Sequence, residues 1–130
     1  MRKTYWQNVQ EEALTFMKRE CPRNGGWMID SGKAGVNWFC KNRKPDLIAL
    51  RRDNRDRLDV ILVEVKAYDK TPLRKTDVDQ LISCTKNMPN AVYQYRLWLI
   101  VSSDTEIPPE VRDYAYDSCP CFEIKRLRGV

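Results

Sequence analysis

The 130-residue chain contains no histidine, and this absence removes several kinds of chemistry at once. A Ser-His-Asp triad and a zinc centre built on imidazole both require histidine, so neither can be present. Any general acid, general base or metal ligand must therefore be a carboxylate, a lysine, a tyrosine or a cysteine. The candidate chemistry is correspondingly narrow.

Cysteine is present but lacks the spacing of a metal site. The five cysteines form no CxxC motif and no zinc-finger pattern, and Cys119-Pro120-Cys121 alone makes a poor chelate. An odd number also argues against the disulfide framework of a secreted protein, although one or two disulfides occur in intracellular proteins of hyperthermophiles. We expect mostly buried thiols.

Long hydrophobic runs are also missing. No segment approaches the roughly 20 apolar residues that cross a bilayer, and the N-terminal residues MRKTYWQNVQEE are amphipathic where a secretory signal would be continuously apolar. We therefore expect no membrane association and an intracellular protein, in the cytoplasm or, for a viral chain, in the host cytoplasm. The length and the absence of repeats or linkers predict one domain over residues 1–130.

Positive charge is in excess, because 23 Lys and Arg residues against 18 Asp and Glu residues give a net charge of +5. Such a balance suits a polyanionic partner such as nucleic acid. A basic surface also keeps a protein in solution, so charge alone leaves both interpretations open until the charges are placed in a site.

Hydrophobic periodicity predicts an α-β-β-β-α-β-α-β order. The second helix begins near Thr76, where Asp79 would complete a capping box. The two strands before it are joined by turn residues and read as an antiparallel hairpin. The predicted elements are a helix at 4–20, strands at 27–29, 47–50 and 60–65, a helix at 76–87, a strand at 95–101, a helix at 108–116 and an edge strand at 122–127.

Three polar residues of the predicted hairpin carry the candidate chemistry. Asp46 begins one strand, while Glu64 and Lys66 lie two apart on the other and therefore project from the same face. Two neighbouring carboxylates bind a hard divalent cation such as Mg²⁺ through oxygen. A nearby ammonium can orient a metal-bound water and neutralise charge that develops on a phosphate. Solvent-facing charges on a half-buried strand are the alternative, but the apolar neighbours on both faces of VILVEVK argue for burial.

The motif Pro45-Asp46, followed by Glu64-Val65-Lys66 on VILVEVK, resembles the signature of the PD-(D/E)XK nuclease superfamily. The resemblance implies an α/β class fold, a restriction-endonuclease-like mixed central sheet flanked by helices with an α-β-β-β-α-β core, as a single nuclease domain. It implies catalytic roles for Asp46, Glu64 and Lys66, and metal ligation by Asp46, Glu64 and Val65. The implied ion is Mg²⁺, with Mn²⁺ as a substitute.

Within the superfamily the chain is most similar to archaeal Holliday-junction resolvases and small RecB-like nucleases, over about residues 5–101. Aligning the core-facing stripe of the first helix puts Gln10 where those proteins carry a metal-binding Glu. Gln10 is therefore a candidate catalytic residue, and Glu11 or Glu12 would substitute if the helix were rotated. An equal interpretation is that both acids only solvate the helix. Gln80 resembles the helix glutamine of RecB-like nucleases, although an exposed helix residue is an equal interpretation.

Several loop residues near these motifs are candidates for contacting DNA. Ser31 lies where resolvases carry a Ser-Gly loop, and a plain loop serine is the alternative. Basic side chains in the adjoining loops suit backbone phosphates and carry no sequence information. They are Lys33, Lys41, Arg43, Lys44, Lys70, Arg74 and Lys75.

The sequence thus predicts an enzyme, a Mg²⁺-dependent deoxyribonuclease acting on duplex or branched DNA, such as a structure-specific endonuclease of DNA recombination and repair. A RecB-like exonuclease, a restriction-type endonuclease and a catalytically silent DNA-binding module on the same fold are the alternatives. Symmetric cutting of two strands would require a homodimer. Its interface would come from Trp98, Tyr114, Tyr116 and Phe122, which equally suit the core.

Neutralising Lys33, Lys41, Arg43 and Lys44 together is expected to weaken DNA binding for every sequence and to flatten its salt dependence, because each contact with a phosphate releases counterions. Titrations of labelled DNA at several salt concentrations measure both effects, and the variant should still fold. Unchanged affinity and unchanged salt slope would show that this loop does not face DNA.

Overall fold

The computed structural model describes residues 2–31, 45–68, 70–86 and 88–129, with the side chain of Ser31 left out. A short 3₁₀ turn at Arg23–Gly25 follows the first helix. The helices and strands are α1 (Tyr5–Glu20), β1 (Met28–Ser31), β2 (Leu47–Arg52), β3 (Leu58–Lys66), α2 (Lys75–Ser83), β4 (Val92–Val101), α3 (Pro109–Ser118) and β5 (Phe122–Arg126).

The five strands form one mixed sheet in the order β1-β2-β3-β4-β5. The β1–β2 and β2–β3 pairs are antiparallel, whereas the β3–β4 and β4–β5 pairs are parallel. Parallel neighbours need a crossover connection, and α2 and α3 supply these two crossovers. The predicted fold class, a mixed central sheet flanked by helices with an α-β-β-β-α-β core, is confirmed.

The central strand β3 is buried on both faces, which explains its nearly continuous apolar sequence. Alternate side chains enter two different cores. Val60 and Leu62 pack in the core that α2 and α3 cover. Ile61, Val63 and Val65 pack in the core that α1 covers through Val9, Ala13 and Met17. Each face of the sheet therefore has its own helical layer, and alternate residues of β3 face one layer or the other.

Helix α1 begins at a reciprocal capping box. The Thr4 hydroxyl accepts the Gln7 backbone N–H at 3.1 Å, and the Gln7 side chain accepts the Thr4 backbone N–H at 2.8 Å. The helix ends before Pro22, which cannot continue it. Within the described residues, no helix is both long enough and apolar enough to cross a bilayer.

Helix α2 differs from the predicted one at both ends. It begins at Lys75 and ends at Ser83, so it is shorter than predicted. The acid that closes its first turn is Asp77, whose carboxylate accepts the Arg74 backbone N–H at 2.9 Å. The predicted capping acid, Asp79, instead accepts the Tyr114 hydroxyl of α3. The capping prediction was therefore wrong, because two aspartates two residues apart face different partners.

One prediction about side-chain environment is corrected. Cys119 and Cys121 form a disulfide across the turn between α3 and β5, with their Cα atoms 5.3 Å apart. Among the other described cysteines, Cys21 and Cys84 are buried thiols, as predicted. Of the four aromatic residues considered for an interface, Trp98 and Phe122 are buried, Tyr114 is half-buried and Tyr116 is exposed.

Candidate metal centre and active site

Two acidic residues, Asp46 and Glu64, lie at one end of the β2–β3 pair. The strands are antiparallel with Leu47 opposite Val63, so Asp46, one residue before β2, lies level with Glu64. The backbone N–H of Val65 donates a 2.7 Å hydrogen bond to Oδ2 of Asp46. This bond holds the Asp46 carboxylate at the point where regular strand pairing ends.

The backbone of Val65 adds a third oxygen on the same side. In a strand, the N–H and C=O of one residue point toward the same neighbouring strand. Since the Val65 N–H points to Asp46, its carbonyl does too, whereas the Lys66 carbonyl turns to the β4 side and accepts the Ser102 N–H at 3.2 Å. The Val65 carbonyl is thus directed to the side of β3 on which Asp46 lies.

This donor set fits a hard divalent cation. Asp46, Glu64 and the Val65 carbonyl offer oxygen only, and Mg²⁺ and Mn²⁺ prefer oxygen ligands. Within the part of the chain that the structure describes, no group of three or more His, Cys, Asp or Glu residues is arranged to hold a metal ion. The carbonyl and water would therefore have to complete the coordination of an ion between the two carboxylates.

Lys66 extends from the same face of β3 as Glu64 and is held by α2. Its ammonium Nζ donates to Oε1 of Gln80 at 3.1 Å and lies 3.9 Å from Oδ1 of Asp77. Its side chain is 17% exposed, so the ammonium is largely shielded but still reaches solvent. The structure therefore brings Gln80 to Lys66, as required for the predicted role of Gln80 in the site.

Sequence reasoning missed Asp77, which is fully buried beside Lys66. Its carboxylate accepts the Tyr68 hydroxyl at 2.8 Å and the Arg74 backbone N–H at 2.9 Å. The available signal was its spacing of three residues from Gln80, which places both side chains on one face of α2. A buried acid needs such partners because an uncompensated charge in the interior is expensive.

The candidate site residues of α1 do not lie with Asp46, Glu64 and Lys66. Gln10 was predicted on the core-facing stripe, but its side chain is exposed while Val9 and Ala13 are buried. That prediction was wrong. Gln10 directly follows the buried Val9, and consecutive residues of an α-helix lie about 100° apart around its axis, so Gln10 is turned away from the sheet. Glu11 is exposed and pairs with Lys3 at 2.8 Å, and Glu12 is exposed as well. Helix α1 covers the sheet face opposite to that of Leu62 and α2.

The predicted DNA-contacting residues fall into two groups. Lys33, Lys41, Arg43 and Lys44, and the side chain of Ser31, lie outside the described residues. Lys70, Arg74 and Lys75 are exposed and lie on the approach to α2 or at its first residue. The Arg74 guanidinium donates to the Tyr68 hydroxyl at 3.4 Å, so this basic group adjoins the Lys66–Asp77 cluster.

Comparison with known proteins supports the fold without assigning a family. No protein-family model matches the chain, and no curated protein matches it. A structure of AF1548, a protein of unknown function, is similar with a TM-score of 0.57 at 14% identity, covering 91% of this chain and 57% of that one. MspJI restriction endonuclease, solved in complex with a 27-mer oligonucleotide, aligns with a TM-score of 0.49 at 9% identity, covering 90% of this chain and 24% of that one. At such identities the likeness concerns the fold alone.

Replacing Tyr68 with phenylalanine is expected to lower the free energy of unfolding by about 1.5 kcal/mol at neutral pH, since a hydrogen bond to a buried carboxylate is lost. Burial, and then the hydrogen bond to Asp77, raise the pKa of Tyr68. A raised tyrosine pKa gives stability that is present below the unfolded value of about 10 and disappears as the pH rises through the folded value.

The difference between wild type and Tyr68→Phe should therefore shrink as the pH rises above about 10, as measured by urea unfolding at several pH values. Tyr116→Phe is the matched control, because Tyr116 is 44% exposed on α3. A difference for Tyr68→Phe that stayed constant into the alkaline range would mean that the Asp77 bond contributes nothing.

Proposed function

We propose that this protein is a metal-dependent DNA nuclease that hydrolyses phosphodiester bonds. The observation that carries the proposal is the hydrogen bond from the Val65 N–H to Asp46, which holds this carboxylate at the end of the β2–β3 pair, next to the segment of β3 that carries Glu64 and Lys66 on one face. Oxygen ligands that hold a divalent ion, together with a nearby cation, suit the hydrolysis of a phosphodiester because both stabilise negative charge that develops on the phosphate.

Asp46, Glu64 and the Val65 carbonyl would hold Mg²⁺, and Mn²⁺ would substitute for it. When bound, such an ion polarises a phosphate oxygen and lowers the pKa of a coordinated water. The hydrogen bond from the Val65 N–H preorganises Asp46, so one carboxylate is in place before any ligand arrives. Preorganised charges cost no rearrangement during the reaction.

Lys66 would stabilise the charge that develops on the phosphate and orient the attacking water. Gln80 and Asp77 hold its ammonium from the α2 side at 3.1 and 3.9 Å. A lysine side chain has four rotatable bonds, so two fixed oxygen partners greatly restrict where its charge can lie. Asp77 and Gln80 are thus positioning residues that act through Lys66.

DNA is the proposed substrate because exposed basic residues adjoin the site and the chain carries a net charge of +5. Lys70, Arg74 and Lys75 would contact phosphates on either side of the bond that is cut. Such contacts fix the position of a nucleic acid and not its sequence. A structure-specific endonuclease of the Holliday-junction type is therefore one form of the activity, with exonuclease and restriction-type cleavage as the others.

The decisive experiment compares cleavage of a four-way junction, a linear duplex and a single strand in Mg²⁺, Mn²⁺ and EDTA. We expect cleavage that EDTA abolishes. Asp46→Asn, Glu64→Gln and Lys66→Met should each reduce the rate by about 100-fold or more, the usual effect of removing one group that stabilises a transition state. The double variant of Asp46 and Glu64 should lose little more than either single variant, because both act through one ion.

Matched controls exist for each substitution. Asp113→Asn and Glu123→Gln alter exposed carboxylates on α3 and β5, and Lys125→Met alters a lysine on β5, so all three should cleave like wild type. Circular dichroism and thermal unfolding establish that each variant is folded. Wild-type rates in folded Asp46→Asn or Glu64→Gln would refute the centre. Absence of cleavage by wild type on every substrate and metal, with DNA binding retained, would instead favour the silent binding module.

A further inference from the structure

The turn between β2 and β3 is held by side-chain hydrogen bonds and lies far from the candidate metal centre. Oδ1 of Asp53 accepts the backbone N–H groups of Arg55 and Arg57 at 2.9 Å each, and its Oδ2 accepts Nε of Arg57 at 2.8 Å. The Arg57 backbone bond is the main reason that the pKa of Asp53 is lowered. Asp56 closes the turn with a φ of 62°, a conformation that aspartate tolerates. The turn therefore holds its arginines on a defined backbone.

Four arginines of this turn and its strands line a pocket of about 730 Å³ together with Asn54 and Tyr93. This volume is within the range of binding sites for small molecules and cofactors. The pocket lies at the opposite end of the hairpin from Asp46. Arg52 lies six positions along the chain from Asp46, which corresponds to roughly 20 Å in an extended strand. The arginines are Arg51, Arg52, Arg55 and Arg57.

A β-bulge delivers the aromatic ring to this pocket. Leu58 pairs with Val92 and Asp59 pairs with Gln94, so Tyr93 has no partner in the register between β3 and β4. Bulges re-aim a side chain and are common beside functional sites. The Arg57 guanidinium lies over the Tyr93 ring, 3.7 Å from its centroid. Tyr93 is nevertheless 58% exposed, so the ring keeps an open face.

The four arginines differ in the partners that they already have within the protein. Arg51 pairs with buried Asp59 at 2.9 Å and stacks on Trp27, so it belongs to the base of the pocket. Arg57 forms an ion pair with Asp53 and lies over the Tyr93 ring. The other two cations are available to a ligand.

Arg52 pairs with Asp56 at 3.1 Å, but both side chains are largely exposed, and such pairs contribute at most about 1 kcal/mol. The side chain of Arg55 has no hydrogen bond or ion pair to another described residue. An incoming phosphate can therefore take both Arg52 and Arg55 without breaking the turn, because Asp53 and Arg57 hold it.

We propose that this pocket, at the turn end of the β2–β3 hairpin, binds an unpaired stretch of a nucleic-acid strand. A base would stack on Tyr93, and the flanking phosphates would lie against Arg52 and Arg55. Basic grooves that carry exposed aromatic rings bind single strands in this way, whereas the bases of a duplex are paired and cannot reach the ring. The inference rests on the proposed function in that the same DNA would extend to the metal centre. At about 3.4 Å per stacked nucleotide, roughly six nucleotides would separate the two points.

The test is fluorescence anisotropy in EDTA, which separates binding from cleavage. The probe is a labelled oligothymidine of about twelve nucleotides, a length that a single small binding fold covers, with a duplex of equal length beside it. Tyr93→Ala should weaken single-strand binding by about 5- to 150-fold, the effect of losing one stacked base, and leave duplex binding unchanged. Tyr93→Phe should bind like wild type because the ring remains. Arg55→Ala should lower the salt slope by about 1.

Tyr116→Ala is the matched control, since Tyr116 is also an exposed tyrosine but lies on α3. Equal affinity of Tyr93→Ala and wild type for the single strand would overturn the proposal, as would equal weakening for single strand and duplex. Failure of the nuclease assay is a separate result. If the protein does not cleave DNA but its single-strand binding depends on Tyr93, the pocket proposal stands. If the protein cleaves DNA and its single-strand binding does not depend on Tyr93, the pocket proposal is wrong.

Discussion

Strand β3 lies in the middle of the sheet and is buried on both faces, yet its last three residues include a carboxylate and an ammonium. Charges at such a position are stable only if neighbouring elements provide partners. Asp46 reaches the Val65 backbone from β2, while Gln80 and Asp77 reach Lys66 from α2. Lys66 is compensated from α2, and the Val65 N–H beside it fixes the Asp46 carboxylate, so the open end of the β2–β3 hairpin and the first turns of α2 meet at one junction, which is the candidate site.

Much of the fold could be predicted from the sequence because its signals are local. The apolar run of β3 and the turn residues before it indicate the hairpin, and the apolar stripe at helical spacing indicates α1. The pair Glu64 and Lys66 could be placed on one face because side chains alternate along a strand. Asp46 could be added once the hairpin was recognised.

The remaining features depend on tertiary contacts that no local pattern contains. Asp77 is one of two acids on α2, and only packing against Lys66 and Tyr68 distinguishes it from Asp79. Gln10 was misplaced because an apolar stripe does not define the helix rotation to within one residue. The bulge that exposes Tyr93 arises from the register between β3 and β4, which are joined through a crossover helix. The errors concern side-chain orientation and pairing and the bounds of α2, and not the existence of an element.

The central claim is that Asp46 and Glu64 hold one divalent cation while Lys66 acts on the phosphate. Calorimetric titration of Mn²⁺ into wild type, Asp46→Asn, Glu64→Gln and Lys66→Met tests it without reference to any DNA substrate. The account predicts that either carboxylate substitution weakens metal binding strongly and that Lys66→Met leaves it close to wild type or tighter, since a nearby positive charge is removed. Metal affinity that survives both carboxylate substitutions unchanged would contradict it.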